Sequence, residues 1–135
     1  MAQHVPDVGC RALLELLIAA WGSDVTIHLF KVPHTPAAGD TVSDYIEADF
    51  EGYSPLAATG WGAPATVAGV TSSIADQLTF TKGVGGVGND VYGYFATDLS
   101  GTVLYWAESD PAAPIDMNAD GREYLVTPRL RLNSA

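Results

Sequence analysis

The stretch Gly83-Val84-Gly85-Gly86-Val87-Gly88 holds the G-x-G-x-x-G spacing that lets backbone approach a pyrophosphate at a helix N-terminus. That chemistry needs a strand before the glycines and a helix after them. Here Asn89-Asp90 leads into the strand-like Val91-Tyr92-Gly93-Tyr94-Phe95, so the stretch reads as a flexible hairpin loop. Asp116-Met117-Asn118-Ala119-Asp120-Gly121 opens like a calcium loop, with oxygens at alternate positions and a glycine for the sharp turn. The closing bidentate acid falls at Thr127 and no helices flank the segment, which reads instead as a polar turn before the last strand. His4, His28 and His34 have no metal-ligand spacing. Cys10 is the single cysteine, which excludes an internal disulfide and suits a buried small hydrophobe. The G-x-S-x-G, Walker A, H-E-x-x-H and C-x-x-C patterns are missing. Sixteen acids bring some carboxylates close in space, as a glycosidase requires, but no spacing singles out a pair. The sequence therefore nominates no catalytic residue, no cofactor and no metal.

Aromatic side chains are the remaining candidates. Trp21, Trp61 and Trp106, with Tyr92 and Tyr94, suit either core packing or contact with a partner, including a sugar whose C–H surface stacks on a flat ring. Trp61, between Gly60 and Gly62 in a loop, is the first choice for a partner-facing residue.

The elements that must position these residues follow from periodicity. Pro6-Asp7 ahead of Ala12 to Trp21 predicts one helix over about 7–21, with Asp7 as N-cap and Gly22 as the C′ residue. Leu13, Leu17 and Trp21 share a face, as do Leu14, Ile18 and Trp21, so the helix should be buried on most sides, against its own sheet or a neighbour. From Val25 the period becomes alternating, placing Val25, Ile27 and Leu29 on one strand face with His28 on the other. A short helical turn is expected within 43–49. Further strands are expected over 65–70, 74–82, 91–97, 102–108 and 122–132, separated by Gly, Pro, Asn or Asp. Asp98-Leu99-Ser100-Gly101 suits a type I turn with a left-handed closing residue, joining two strands into a hairpin. In that hairpin Tyr92 and Tyr94 should share one face, and Val91 and Phe95 the other. These elements predict a mainly β fold, an antiparallel β-sandwich or small barrel with one N-terminal α-helix, as a single domain over 1–135 with its β-rich region over about 25–132.

Composition narrows the function classes. Sixteen Asp and Glu against six Lys and Arg give a net charge of -10, which speaks against direct nucleic-acid binding and against an anionic membrane surface. The apolar run 12–21 is too short, and interrupted by Glu15, to be a membrane span, and 1–7 lacks the basic start of a signal peptide. Charged residues make up only 16% of the chain, so considerable apolar surface must remain outside and a homo-oligomer, dimer or trimer, is expected.

Several segments in succession carry a resemblance. Val5-Pro6-Asp7-Val8-Gly9 precedes the helix; Ile27-His28-Leu29-Phe30-Lys31 follows, with Thr35-Pro36 and Asp40-Thr41. Then come Tyr45-Ile46-Glu47-Ala48-Asp49-Phe50-Glu51-Gly52-Tyr53, Leu78-Thr79-Phe80, Val91-Tyr92-Gly93-Tyr94-Phe95, Leu104-Tyr105-Trp106-Ala107-Glu108 and Val126-Thr127-Pro128. In this order, over nearly the whole chain, they resemble a family of small structural proteins of tailed bacteriophages. The chain departs from that pattern at Cys10, where an acid is more usual, and in the glycine-richness of 83–88. The resemblance implies a non-enzymatic virion protein of the capsid decoration or cement type, assembled in the host cytoplasm and seated on the capsid surface. Its implied partner is the major capsid protein or another virion protein. A tail, collar or fibre component and a carbohydrate-binding module for host attachment are the alternatives.

Overall fold

The structure, a computed structural model, describes residues 3–21 and 24–133. It is mainly β, with one N-terminal helix and several antiparallel sheets in a sandwich-like arrangement. Helix α1 spans Asp7–Trp21. The first helical bond runs from the Cys10 N–H to the Pro6 carbonyl, so Pro6 holds the cap position and Asp7 the first turn, where its charge still suits the helix dipole. Gly22 lies outside the described residues.

The central sheet orders its strands β2-β1-β7-β8, with β1 at Thr26–Phe30, β2 at Leu56–Ala57, β7 at Gly93–Thr97 and β8 at Leu104–Ser109. Alternation works as expected in β1: Val25, Ile27 and Leu29 are fully buried in the main core, while His28 and Phe30 turn to the opposite face. Strand β7 is central and every one of its residues is buried, as two partly apolar faces require. The β7–β8 hairpin closes as the sequence predicts. Asp98 accepts the Thr102 and Val103 N–H groups at 2.8 and 3.1 Å, and Gly101 takes a left-handed φ of +74°.

The other strands are shorter than their apolar runs. Within 65–70, β3 (Ala65–Val67) turns at Ala68-Gly69, both at positive φ, into β4 (Val70–Ile74). The run 74–82 contributes the end of β4 and then β5 (Leu78–Thr81). The run 122–132 divides at Pro128, which has no N–H for a ladder, into β10 (Glu123–Val126), paired with β5, and β11 (Arg129–Asn133), paired with β4. Two more strands, β6 (Asn89–Val91) and β9 (Ile115–Met117), pair with each other, and β9 and β2 have no counterpart in the sequence reading. Because β5 and β6 belong to different sheets, Gly83 to Gly88 is a crossover and not the expected hairpin loop. A 3-10 turn at Val42–Asp44 stands for the helical turn expected in 43–49.

The expected faces of Tyr92 and Tyr94 are corrected. Strand pairing breaks at Tyr92, where a side chain at Gly93 would collide with the Glu108 carbonyl and with the Phe30 ring 2.9 Å away. The break turns Tyr92 towards the Phe30–Tyr45–Phe95 cluster, while Val91 and Tyr94 enter the main core. The helix is corrected too. Only Cys10 and Leu14 are buried, against the β3–β4–β11 sheet, whereas Val8, Leu13 and Leu16 are exposed at 69, 46 and 67%.

Candidate functional site

Three of the nominated aromatics meet in one seam. Helix α1 ends on Trp21, whose ring stacks on Tyr105 of β8 at 4.2 Å between centroids and on Trp106 at 6.2 Å. Trp61 meets Trp106 edge-on at 6.1 Å. Its loop is pinned to β4, with Gly62 N–H donating to the Ile74 carbonyl at 2.9 Å and the Ser73 hydroxyl donating to the Gly62 carbonyl at 2.6 Å. Trp61 is thus a half-buried member of the seam. All four rings keep part of their surface exposed.

The seam continues into a cleft through Tyr94. Its hydroxyl accepts from Trp106 Nε1 at 3.2 Å and donates to Glu108 Oε2 at 2.8 Å. Burial, reinforced by the Glu108 charge, pushes the phenol up to about 12. Glu108 Oε1 pairs with Arg131. Across the cleft the Tyr124 hydroxyl donates to Asp110 Oδ2 at 2.6 Å, and burial followed by this bond raises that phenol as well. Asp110 Oδ1 accepts the Ala112 N–H at 2.8 Å. The cleft has a volume of about 220 Å³ and is lined by Tyr94, Glu108, Ser109, Asp110, Tyr124 and Thr127 among others. Sequence reasoning missed this acid pair. Its signal was the i, i+2 spacing of Glu108 and Asp110 at the end of a strand, which puts both on one face.

A separate depression next to the cleft is lined by Trp106, Ala107, Glu108, Arg129, Leu130 and Arg131. The Tyr92 side chain packs on the Phe30–Tyr45–Phe95 cluster and lines neither seam nor cleft, while its carbonyl accepts the Asp110 N–H at 2.9 Å.

Two of the three histidines, His28 and His34, sit in hydrogen-bonded clusters. His28 Nδ1 meets Glu47 Oε2 at 2.7 Å and Nε2 meets Thr97 Oγ1 at 2.8 Å, with the ring stacked on Phe95 at 4.8 Å. The Thr97 hydroxyl also donates to the Asp98 carbonyl at 2.8 Å. Burial raises the Glu47 pKa, but the His28 and Tyr53 hydrogen bonds and the His28 charge together outweigh it and hold the carboxyl below its usual value. His34 Nε2 and the Tyr45 hydroxyl both donate to Asp40 Oδ2, at 2.9 and 2.7 Å, closing the 34–45 loop.

The calcium-like segment is held by hydrogen bonds within the chain. Asp116 Oδ1 accepts from Asn118, Asp116 Oδ2 from Arg122, and Asp120 Oδ1 from the buried Lys82 ammonium at 3.1 Å. Lys82 Nζ also donates to the Gly83 and Gly85 carbonyls at 2.8 and 2.5 Å, tying the glycine-rich crossover to Asp120. Among the described residues no group of three or more His, Cys, Asp or Glu is placed to hold a metal. No described helix is long and apolar enough to cross a membrane. Comparison with protein-family models, with curated proteins and with solved structures finds no match to this chain.

Proposed function

We propose that this chain is a non-enzymatic structural subunit of a tailed-phage virion, a decoration or cement protein on the capsid surface that bridges neighbouring major capsid protein subunits. One observation carries the reading: apolar surface that a lone, lightly charged chain leaves uncovered. Val8, Leu13 and Leu16 stand out from α1, and the Trp21–Tyr105–Trp106–Trp61 seam is only half covered. Surface of this kind marks an interaction site. The carboxylates in the cleft hold structural partners, Glu108 through Tyr94 and Arg131 and Asp110 through Tyr124 and the Ala112 N–H. The resemblance to phage structural proteins supplies the setting.

A protein that binds only the assembled shell stabilises it by mass action. Expanded shells of the parent phage should bind the protein stoichiometrically in co-sedimentation and resist heat better for it. Bare and decorated shells that break at the same temperature would refute the proposal.

The depression beside the cleft favours a second reading, carbohydrate binding, since it sets an indole ring next to Glu108, Arg129 and Arg131. A glycan array lit by the protein and dark with Trp106→Ala would support it. Silence with both proteins would remove it.

A further inference from the structure

Helix α1 is about 22 Å long and its two sides differ sharply. At 3.6 residues per turn Cys10, Leu14, Leu17, Ile18 and Trp21 face the body of the protein. Val8, Ala12, Leu16 and Ala19 form an exposed stripe on the opposite side, and Arg11 and Glu15 lie one turn apart along a single edge of that stripe. Lys31, Lys82, Arg122 and Arg131 are paired with acids of their own chain. Among the described residues Arg11 and Arg129 form no such pair and neither does Glu15, so on α1 two opposite charges stand beside an apolar stripe.

That pattern is complementary to itself. Two identical helices related by a two-fold axis perpendicular to both run antiparallel, and residues on one edge of the first face the same edge of the second. With the axis at the level of Leu13, Arg11 of each copy stands opposite Glu15 of the other. Val8 of each copy then falls between Leu16 and Ala19 of the other, and the small Ala12 and Ala19 let the helices approach closely.

We propose that the outward face of α1 is an isologous interface through which two copies of this chain pair antiparallel, with reciprocal Arg11–Glu15 ion pairs flanking the Val8–Ala12–Leu16–Ala19 stripe. The inference deepens the assembly reading and uses a surface distinct from the aromatic seam.

Sedimentation equilibrium of the full chain from about 1 to about 200 µM tests it, a window suited to an interface of modest area. The wild type should associate to a dimer, and Leu16→Glu should be monomeric throughout. Arg11→Glu should weaken association about tenfold or more, and the exchange Arg11→Glu with Glu15→Arg should restore it, because the pairs re-form reversed. All substituted side chains are exposed, so unchanged circular dichroism is expected, and the restored exchange variant guards against misfolding. A wild type that stays monomeric, a Leu16→Glu variant that still dimerises, or an exchange that fails to restore pairing overturns the proposal. Co-sedimentation of the same proteins with shells separates the two readings. A dimer that ignores shells sinks the decoration role alone, and a monomer that needs Leu16 to bind shells assigns this face to the shell protein and overturns the dimer.

Discussion

Leu14 and Leu16 sit two residues apart on α1, yet Leu14 is fully buried against the β3–β4–β11 sheet and Leu16 is 67% exposed. Truncating each to alanine therefore separates the two faces of the helix. Leu14→Ala removes apolar contact and leaves a cavity where the helix meets the sheet, at a cost of about 3 kcal/mol within the usual range for buried leucine. For 135 residues the unfolding entropy near the midpoint is about 0.28 kcal/mol/K, so this cost lowers Tm by about 10 °C. Leu16→Ala exchanges one good helix former for another in solvent, and a change within about 0.5 kcal/mol is expected. Thermal and urea unfolding at low micromolar concentration, below the dimer range, measures both. At high concentration Leu16→Ala should also lose the concentration-dependent rise in Tm that the wild type gains from pairing. Equal destabilisation by the two substitutions, or a larger effect of Leu16→Ala in dilute solution, would refute the assignment of inner and outer faces and with it the exposed stripe.

Ala68 takes a left-handed φ of +51° in the tight turn between β3 and β4, and Asn-Gly is the favoured pair for such turns, so Ala68→Asn should stabilise the fold by about 0.5–1 kcal/mol. A lower Tm would refute the turn conformation. Tyr53→Phe removes the hydroxyl that accepts the buried Leu29 N–H at 3.0 Å, which should cost about 1–3 kcal/mol and speed amide exchange at Leu29. Unchanged exchange there would show that the bond is dispensable. Acid should weaken the fold in a defined window. Asp98 is held at about 2, chiefly by the Val103 and Thr102 N–H groups, and Glu47, Asp40, Asp49, Asp116 and Asp120 are also lowered. A carboxyl whose folded pKa lies below its unfolded one contributes stability that is complete above about pH 5 and is lost as pH falls towards 2. Urea midpoints should be flat from pH 7 to about 5 and then fall, and Asp98→Asn should make that fall shallower. A midpoint independent of pH down to about 3 would contradict the carboxylate bonds.

What was legible in the sequence follows physical range. Alternation at Val25, Ile27 and Leu29 reports a single strand with one face in a core, and the structure agrees. The Asp98–Gly101 turn was legible because its chemistry is contained in a few adjacent residues. The pair Tyr92 and Tyr94 was misread because period-two reasoning assumes an unbroken strand, whereas the demand that breaks it comes from Glu108 and Phe30, both distant in sequence. Helix α1 was misread for a related reason. An apolar composition all round predicts burial all round, but the helix is covered on one side, with Cys10 and Leu14 buried and Val8, Leu13 and Leu16 exposed. Trp21, Trp61 and Trp106 were identifiable as residues of interest by type, while their convergence depends on where the helix end and the 60s loop land on β8.

The calcium-like segment shows how one distant residue changes the chemistry of a motif. Asp116, Asn118 and Asp120 carry the alternating oxygens of a cation loop, and Lys82, whose side chain is 1% exposed, reaches Asp120 from the end of β5. An ammonium donates along directed hydrogen bonds and cannot gather the six or more oxygens that calcium requires, so the loop settles around three acceptors, Gly83 O, Gly85 O and Asp120 Oδ1. The same lysine therefore fixes the glycine-rich crossover and ties it to the acidic turn. Two stretches that carry the spacing of a nucleotide loop and the opening of a metal loop, and that read in the sequence as a hairpin loop and a polar turn, form a single structural clasp joining 83–88 to 116–121. The excess of acids follows the same logic elsewhere, since Glu47, Asp40, Asp98, Glu108 and Asp110 each hold a loop or a strand end through a histidine, a tyrosine, an arginine or a backbone N–H. In this chain the carboxylates secure many short strands that lack long ladders, and the apolar groups left on the outside are the part of the sequence available for recognition.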